Sequence, residues 1–428
     1  MSYWLYNIII RVLFAFTFPM FLVFSLVTGK HGTGLLQRLG YYPQLQAAPE
    51  TGQRIWLHAA SVGEIKVANI LIREIIDAFP EATLYVTTVT EQGQEVARKQ
   101  LPAEVQCLFA PLDLPGVVHR AIKHIKPTIY ICLETELWPN LLRQVHKSGA
   151  RLFLLNGRIS VNSFKKYRKI KKFMKKVLSY FTALAVIQPG DVERFAELGA
   201  AKENIRVLGN AKYSLEGNES HLSLQKKFTE LFGLQKNQFV FVSGSTHTGE
   251  ELQLINVYLK LKEHLENLVW ITAPRHIQRL PELESQLLEK DLEYSVLSDV
   301  KKHGRRHSII VVDTVGELAQ IYSVGTFIFC GGSLVDRGGH NLMEAAMWGK
   351  PVFYGPNIKD FADAADLLET NGAGIRINCA EELAEKILDF SRNMESFQEL
   401  GNKARQIIES QENSARKQIE LIKSNLIH

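Results

Sequence analysis

The sequence predicts an α/β protein of two doubly wound domains, each carrying a mostly parallel sheet. Three observations predict it. Short apolar runs recur at 55–58, 83–89, 105–109, 128–133, 151–155, 183–187 and 205–208, then at 239–243, 269–273, 308–313, 326–330 and 351–354. Their length and continuity suit strands buried on both faces. Between them lie segments such as 66–78 and 248–263 with apolar residues at i, i+3 and i+4, the period of helices packed on a sheet. Finally, 428 residues exceed what one core ordinarily organises, and a polar stretch at 216–236 separates the two sets of runs.

The chain opens with 4–28, WLYNIIIRVLFAFTFPMFLVFSLVT, apolar except for Asn7 and Arg11. That length suits a membrane span of about 20 residues, and no small-residue cleavage site follows, so 1–28 reads as an uncleaved anchor. Lys30, His31 and Arg38 come next, which puts the remainder on the cytoplasmic side. A buried helix, or an interfacial one kinked at Pro19, fits the same residues. The domains then run over 29–212 and 213–428, joined near Gly209-Asn210-Ala211-Lys212, with the last helix free to pack back on the first domain.

The net charge is only +5, but Lys165 to Lys176 concentrates it, with Ile170, Phe173, Met174 and Val177 at helical spacing. Such a helix suits anionic headgroups, each cation contributing on the order of 1 kcal/mol. It is equally the pattern of a solvated face. No aromatic platform accompanies the charge, which argues against nucleic acid. Cys107, Cys132, Cys330 and Cys379 are far apart with no CxxC pair. They read as reduced thiols, not disulfides or a metal site, and favour the cytoplasm.

The chemistry gathers where strands end, which is where doubly wound sheets bind ligands. His58-Ala59-Ala60-Ser61-Val62-Gly63-Glu64 follows the first run, and Glu64 there can serve as a general base on a hydroxyl. Ser61-x-x-Glu64 is also a capping box. Glu134-Thr135-Glu136-Leu137-Trp138-Pro139-Asn140 closes another run, with carboxylates suited to a sugar hydroxyl or to a helix N-terminus. Gly244-Ser245-Thr246-His247-Thr248-Gly249-Glu250-Glu251 is a donor-rich turn or another cap. Arg275, in Ala273-Pro274-Arg275-His276, suits phosphate or carboxylate. Asp313-Thr314-Val315-Gly316-Glu317 carries the same capping ambiguity. In 329–355, glycines at 331, 332, 338 and 339 let backbone N–H groups approach a ligand, and a helix opens at Asn341-Leu342-Met343-Glu344. Glu344 can accept from a ribose diol, so phosphate and ribose together point to a nucleotide.

These blocks resemble a known family. HAASVGE (58–64), ETELWPN (134–140), NGRIS (156–160), GNAK (209–212), GSTHTGEE (244–251), APRH (273–276) and GGSLVDRGGHNLMEAA (331–346) run in order as in the Kdo transferases. These are GT-B glycosyltransferases of lipopolysaccharide biosynthesis that move 3-deoxy-D-manno-octulosonic acid (Kdo) from CMP-Kdo to a lipid A precursor. The resemblance covers nearly the whole chain. It implies two Rossmann-like domains facing a cleft, acceptor in the first and CMP-Kdo in the second. It implies Glu64 as proton acceptor, and Glu134 and Lys212 as groups stabilising the transition state. It implies Pro274, Arg275, Val315, Gly316, Glu317, Asn341, Leu342, Met343 and Glu344 as the CMP site. Relatives often carry Met where Val315 stands and a bulkier residue than Ala211.

The implied partners are CMP-Kdo, lipid IVA as the lipid A precursor, and the anionic cytoplasmic face of the inner membrane. No cofactor beyond the donor is expected, and no metal: the sequence has no DxD-like pair on a loop, and CMP leaves with one phosphate. Two other readings fit the residues alone, a GT-B enzyme using another nucleotide sugar and a non-catalytic, membrane-anchored nucleotide- or lipid-binding module. An epimerase on the same fold has little need of an anchor.

Overall fold

The structure, a computed structural model, describes residues 2–28, 34–43, 45, 52–213, 221–411 and 413–426. The chain divides into two compact units, one of residues 1–215 with 411–428 and one of residues 216–410. The C-terminal helix Ser414–Leu426 thus belongs to the first unit, although its sequence lies beyond the second.

In the first unit, β1 (Arg54–His58), β2 (Thr83–Thr88), β3 (Gln106–Phe109), β4 (Ile129–Leu133), β5 (Arg151–Gly157), β6 (Ala183–Val186) and β7 (Ile205–Val207) form one sheet. Its order is β3-β2-β1-β4-β5-β6-β7, and every pairing is parallel. The strands read as unbroken apolar runs because helices cover both faces. Trp56, Tyr130, Leu152 and Leu154 fill one layer; Ile55, Leu57, Ile131, Leu133 and Phe153 fill the other, with Ile419 and Ile422 of the C-terminal helix.

The second unit carries β8 (Phe239–Thr246), β9 (Leu268–Pro274), β10 (Tyr294–Val296), β11 (Ile309–Val311), β12 (Phe327–Cys330), β13 (Val352–Tyr354) and β14 (Gly374–Arg376). Their order is β10-β11-β9-β8-β12-β13-β14, again all parallel. The edge strands β10 and β14 have no counterpart among the apolar runs. Each is three residues long and mostly half-buried or exposed, so neither carries a strand's hydrophobic signature.

In both sheets the strand order reverses beside the first strand, between β1 and β4 and between β8 and β12. The crevice beyond the carboxyl ends at such a reversal is where doubly wound folds take ligands.

Two local expectations change. The lysine-rich stretch is not one helix but two, Val161–Arg168 and Lys171–Leu178, because Ile170 leaves helical geometry (φ −117°, ψ 29°). The second segment turns Phe173, Met174 and Val177 into the core and leaves its lysines outside. The helix expected to open at Asn341 is one turn, Met343–Ala346.

The helix Tyr3–Thr28 is long and apolar enough to cross a membrane, and its 3–20 window is not buried in the protein. Trp4, Phe16 and Met20 are each more than 70 % exposed, which water would penalise.

Candidate active site

Glu64 lies in the first turn of helix Val62–Ala78, directly after β1, at the strand-order reversal of the first sheet. Ser61 caps that helix, its hydroxyl accepting from the Glu64 N–H at 3.4 Å. The Glu64 carboxylate accepts from the Ala60 N–H at 2.9 Å and from the Ser61 hydroxyl at 3.0 Å. The capping reading is therefore real, but it leaves acceptor capacity on both oxygens. Burial pushes this carboxyl up from its ordinary 4.5 to about 7, and the negative charge of Glu136 and Glu134 adds to the rise. The Ala60 and Ser61 donors oppose it. An acid that loses its proton near neutral pH has the affinity a general base needs. Beneath it His58 is fully buried, bonded to the Thr87 hydroxyl at 3.0 Å, and held down to about 4 by burial, so it is neutral.

Glu134 directly follows β4 with left-handed backbone (φ 51°), an uncommon conformation for a side-chain-bearing residue. Its carboxylate is engaged: Arg158, just past β5, reaches it through two guanidinium nitrogens at 2.9 and 3.0 Å. What the site presents is an ion pair rather than a lone carboxylate.

Lys212 sits in the 3-10 turn Ala211–Tyr213, which packs on the Glu64 helix through buried Ala211. The turn is strapped from three sides. Asn156 accepts from the Ala211 N–H at 2.9 Å. The side chain of Gln411 accepts from the Asn210 N–H at 2.7 Å, and Gln418 donates to the Gly209 carbonyl at 3.1 Å. Gly209 must lack a Cβ, which would lie 2.4 Å from the Ser414 hydroxyl, and its φ is +82°. The C-terminal segment thus fixes Lys212 beside the Glu64 helix.

In the second unit the remaining candidates come from the ends of four neighbouring strands, β11, β9, β8 and β12. Pro274 ends β9 and the exposed Arg275 follows it; among the described residues no carboxylate pairs with its guanidinium. Arg279 differs, being locked by Glu251 at 2.7 Å and Glu282 at 3.0 Å. Val315 is 85 % exposed beside Gly316 (φ +94°), an apolar side chain free to cover a flat ring. Glu317 is held by Lys301 at 2.7 Å and by the Thr314 hydroxyl at 2.5 Å. Leu342 and Met343 are buried, so they shape the loop, while Asn341 is bonded to Glu344 at 3.1 Å and both stay half-buried.

The glycine-rich loop departs from expectation. The N–H groups of Gly332, Ser333 and Leu334 do not point to an open ligand site. All three donate to the Glu250 carboxylate, at 2.7, 3.0 and 2.9 Å, and the His247 N–H adds a fourth bond at 2.9 Å. Burial raises the Glu250 carboxyl and these four amides oppose it. The glycine at 331 reflects backbone crowding: a Cβ there would lie 2.6 Å from the Ser245 carbonyl oxygen.

That carboxylate ties the loop after β8 to the loop after β12 and brings His247 against His340. Their Nε2 atoms are 2.8 Å apart and their rings nearly parallel, with His276 edge-on to His247. Burial, the neighbouring imidazoles and Arg275 hold both below the ordinary histidine value, His340 at about 4. Arg337 and Arg279 act on His247 in the same direction. Arg275 and Arg337 supply the positive charge beside this imidazole pair at the strand-order reversal, which suits an anion.

Among the described residues no group of three or more His, Cys, Asp or Glu is arranged to hold a metal ion. Sequence reasoning passed over Glu250, His247, His340, Arg158 and Asn156 as individuals. All lie inside the quoted blocks, which was the available signal.

Two doubly wound parallel sheets, each with ligand-binding chemistry at its carboxyl edge, are the architecture of the GT-B fold. A glycosyltransferase of Rickettsia africae has this fold, with a TM-score of 0.53 at 16% identity, over 88% of this chain and 99% of its own. Residues 33–215 match the family described as 3-Deoxy-D-manno-octulosonic-acid transferase (kdotransferase). The 3-deoxy-D-manno-octulosonic acid transferase of Chlamydophila psittaci is 32% identical over 372 residues, 86% of this chain and 84% of its own. That of Haemophilus influenzae is 29% identical over 95% of this chain and 96% of its own. A bifunctional glycosyltransferase/methyltransferase of Fusobacterium nucleatum is 32% identical over 81% of this chain, which spans about half (54%) of that longer protein. The chain belongs to the Kdo transferase family.

Proposed function

We propose that this enzyme transfers Kdo from CMP-Kdo to the lipid A precursor lipid IVA, with inversion, on the cytoplasmic side of the inner membrane. The first unit takes the acceptor and the second the donor. The observation that carries this reading is the Glu64 carboxyl, poised at about 7 at the edge where ligands bind. The acceptor hydroxyl oxygen forms a bond to the anomeric carbon and its proton passes to Glu64. On the opposite face the carbon–oxygen bond to the phosphate breaks, and its electron pair leaves with CMP. The transition state has oxocarbenium character, so the Glu134 carboxylate, paired with Arg158, acts on the positive charge developing at the sugar, and Lys212 acts on the negative charge that develops as the bond to CMP breaks.

Arg275, beside the imidazole pair, offsets the charge of the departing phosphate, with no metal required. Val315 and Gly316 cover the base, and Asn341 and Glu344 hold the ribose. Leu342 and Met343 support them from the core, as Pro274 and Glu317 fix the loops that carry Arg275 and Val315. Mass spectrometry of the lipid product from CMP-Kdo and lipid IVA tests the reading. A gain of one or more Kdo residues is expected; turnover only with another nucleotide sugar sinks it.

Replacing Arg275 by Ala is expected to weaken CMP binding at least about tenfold, the loss of a charge-assisted hydrogen bond of roughly 1.5–3 kcal/mol. Unchanged affinity by calorimetry removes Arg275 from the donor site. kcat/KM is expected to rise with pH up to about 7 and then level, because the base works only when ionised. A flat profile between about pH 5.5 and 8 argues against Glu64 in that role.

Membrane attachment is supported by the exposed apolar helix and by the lysines of Val161–Arg168 and Lys171–Leu178. Changing Lys165, Lys166, Lys171 and Lys172 to Gln is expected to weaken binding to anionic vesicles by about tenfold or more. Undiminished binding assigns attachment to the apolar helix alone.

A further inference from the structure

The apolar helix Tyr3–Thr28 follows the same sheet edge as Glu64. The Tyr3 hydroxyl donates to the Pro139 carbonyl at 3.1 Å, and Asn140 donates to the Asn7 side chain at 2.7 Å; both partners follow β4. The Tyr6 hydroxyl donates at 2.7 Å to buried Asp113, which follows β3. Two turns further on, Phe14 and Phe18 stack at 4.6 Å and form one wall of a groove of about 640 Å³. Leu35, Leu112 and Val89 line it as well, and Arg38, Thr90, Glu91 and Gln92 make its polar part. The groove therefore ends at the loop after β2, next to β1 in the sheet. There the Val89 N–H donates to the Ala60 carbonyl at 3.3 Å, and the Ala60 N–H holds the Glu64 carboxylate. Arg38 closes this end, stacked on Phe109 at 4.4 Å and spending one N–H on the Val89 carbonyl at 2.7 Å.

We propose that this groove receives one acyl chain of the lipid acceptor and so sets which sugar hydroxyl reaches Glu64. The inference rests on the lipid-acceptor reading above. The groove's wall is the helix whose outer face, with Trp4, Ile9, Leu13, Phe16 and Met20, is exposed and apolar. A chain can slide from bilayer to groove without entering water. Moving a methylene from lipid to an apolar groove gains little, unlike moving it out of water. The groove's contribution is consequently register rather than affinity, which is how remote contacts raise turnover. Arg38 keeps further N–H donors for the oxygens where an acyl chain joins its headgroup.

Thr17 also lines the groove and is exposed, its hydroxyl donating to the Leu13 carbonyl of its own helix, so Thr17→Trp fills the space without disturbing the core. The variant is expected to lose at least about tenfold in kcat/KM with lipid IVA, and undiminished kcat/KM overturns the proposal. Independently of catalysis, the full-length wild-type protein is placed in vesicles containing a phospholipid with a diazirine near its acyl terminus. Adducts are expected on peptides bearing Leu35, Val89 or Leu112, and unlabelled lipid IVA is expected to suppress them. Adducts confined to 3–28 overturn the groove; adducts that lipid IVA does not suppress assign it to bulk phospholipid and overturn the acceptor role. Absence of Kdo transfer by the wild type strikes the functional reading but leaves the cross-linking result standing.

Discussion

Glu64→Gln lowers kcat by about 10² or more while leaving CMP affinity near that of the wild type. The substitution separates two roles that one carboxylate plays. Glutamine keeps the cap, because its carbonyl oxygen can accept from the Ala60 N–H and its amide can donate to the Ser61 hydroxyl. It cannot take a proton. If Glu64 were only a cap, turnover would be preserved.

Stability gives a second readout with a definite sign. The folded protein holds this carboxyl at about 7 against an ordinary 4.5, so ionising it costs more in the folded than in the unfolded state. The stability this one group contributes is therefore fully present below about pH 4.5 and is lost as pH rises through about 7, an amount on the order of 3 kcal/mol. The glutamine variant escapes that loss. Its Tm relative to wild type is expected to be higher at pH 8 than at pH 5, and the reverse order would contradict the burial argument. Losing activity while gaining stability marks a group held at a cost for function.

Glu250→Gln is expected to destabilise the second unit by roughly 3–5 kcal/mol and to abolish measurable CMP binding. Glu250 is fully buried and accepts four backbone N–H bonds, two on each oxygen. A glutamine in the same place turns an NH2 group against two N–H donors, stranding them away from water. The loop after β12 then loses its tie to the loop after β8, and with it the approach of His340 to His247 at 2.8 Å. Thermal unfolding and calorimetry with CMP check both halves. An unchanged Tm would mean that the four amides find other acceptors, and unchanged CMP affinity would mean that the imidazole pair lies outside the donor site.

The proposed donor site was legible in the sequence as position and little of it as partnership. Arg275, Val315 and Glu344 all lie beyond strand ends, where the runs of apolar residues placed them. Yet Glu250 and Gly332, Glu134 and Arg158, and His247 and His340 are 82, 24 and 93 residues apart. Periodicity does not reach over such separations. The same limit explains why Glu64 read equally well as a cap and as a base: the local pattern is identical, and only burial with Glu134 and Glu136 nearby raises its affinity for a proton.

By itself the sequence determined the alternation of buried strand and helix, the division into two units and the strand-end positions of the candidate residues. These follow from side-chain period and length along a few consecutive residues. Tertiary structure alone decided that the 332–334 amides serve Glu250, that Glu134 is paired, that the lysine-rich segment breaks at Ile170, and that residues 411–418 hold the Lys212 turn. Each depends on which strands become neighbours, and that order is fixed by packing among residues distant in the chain.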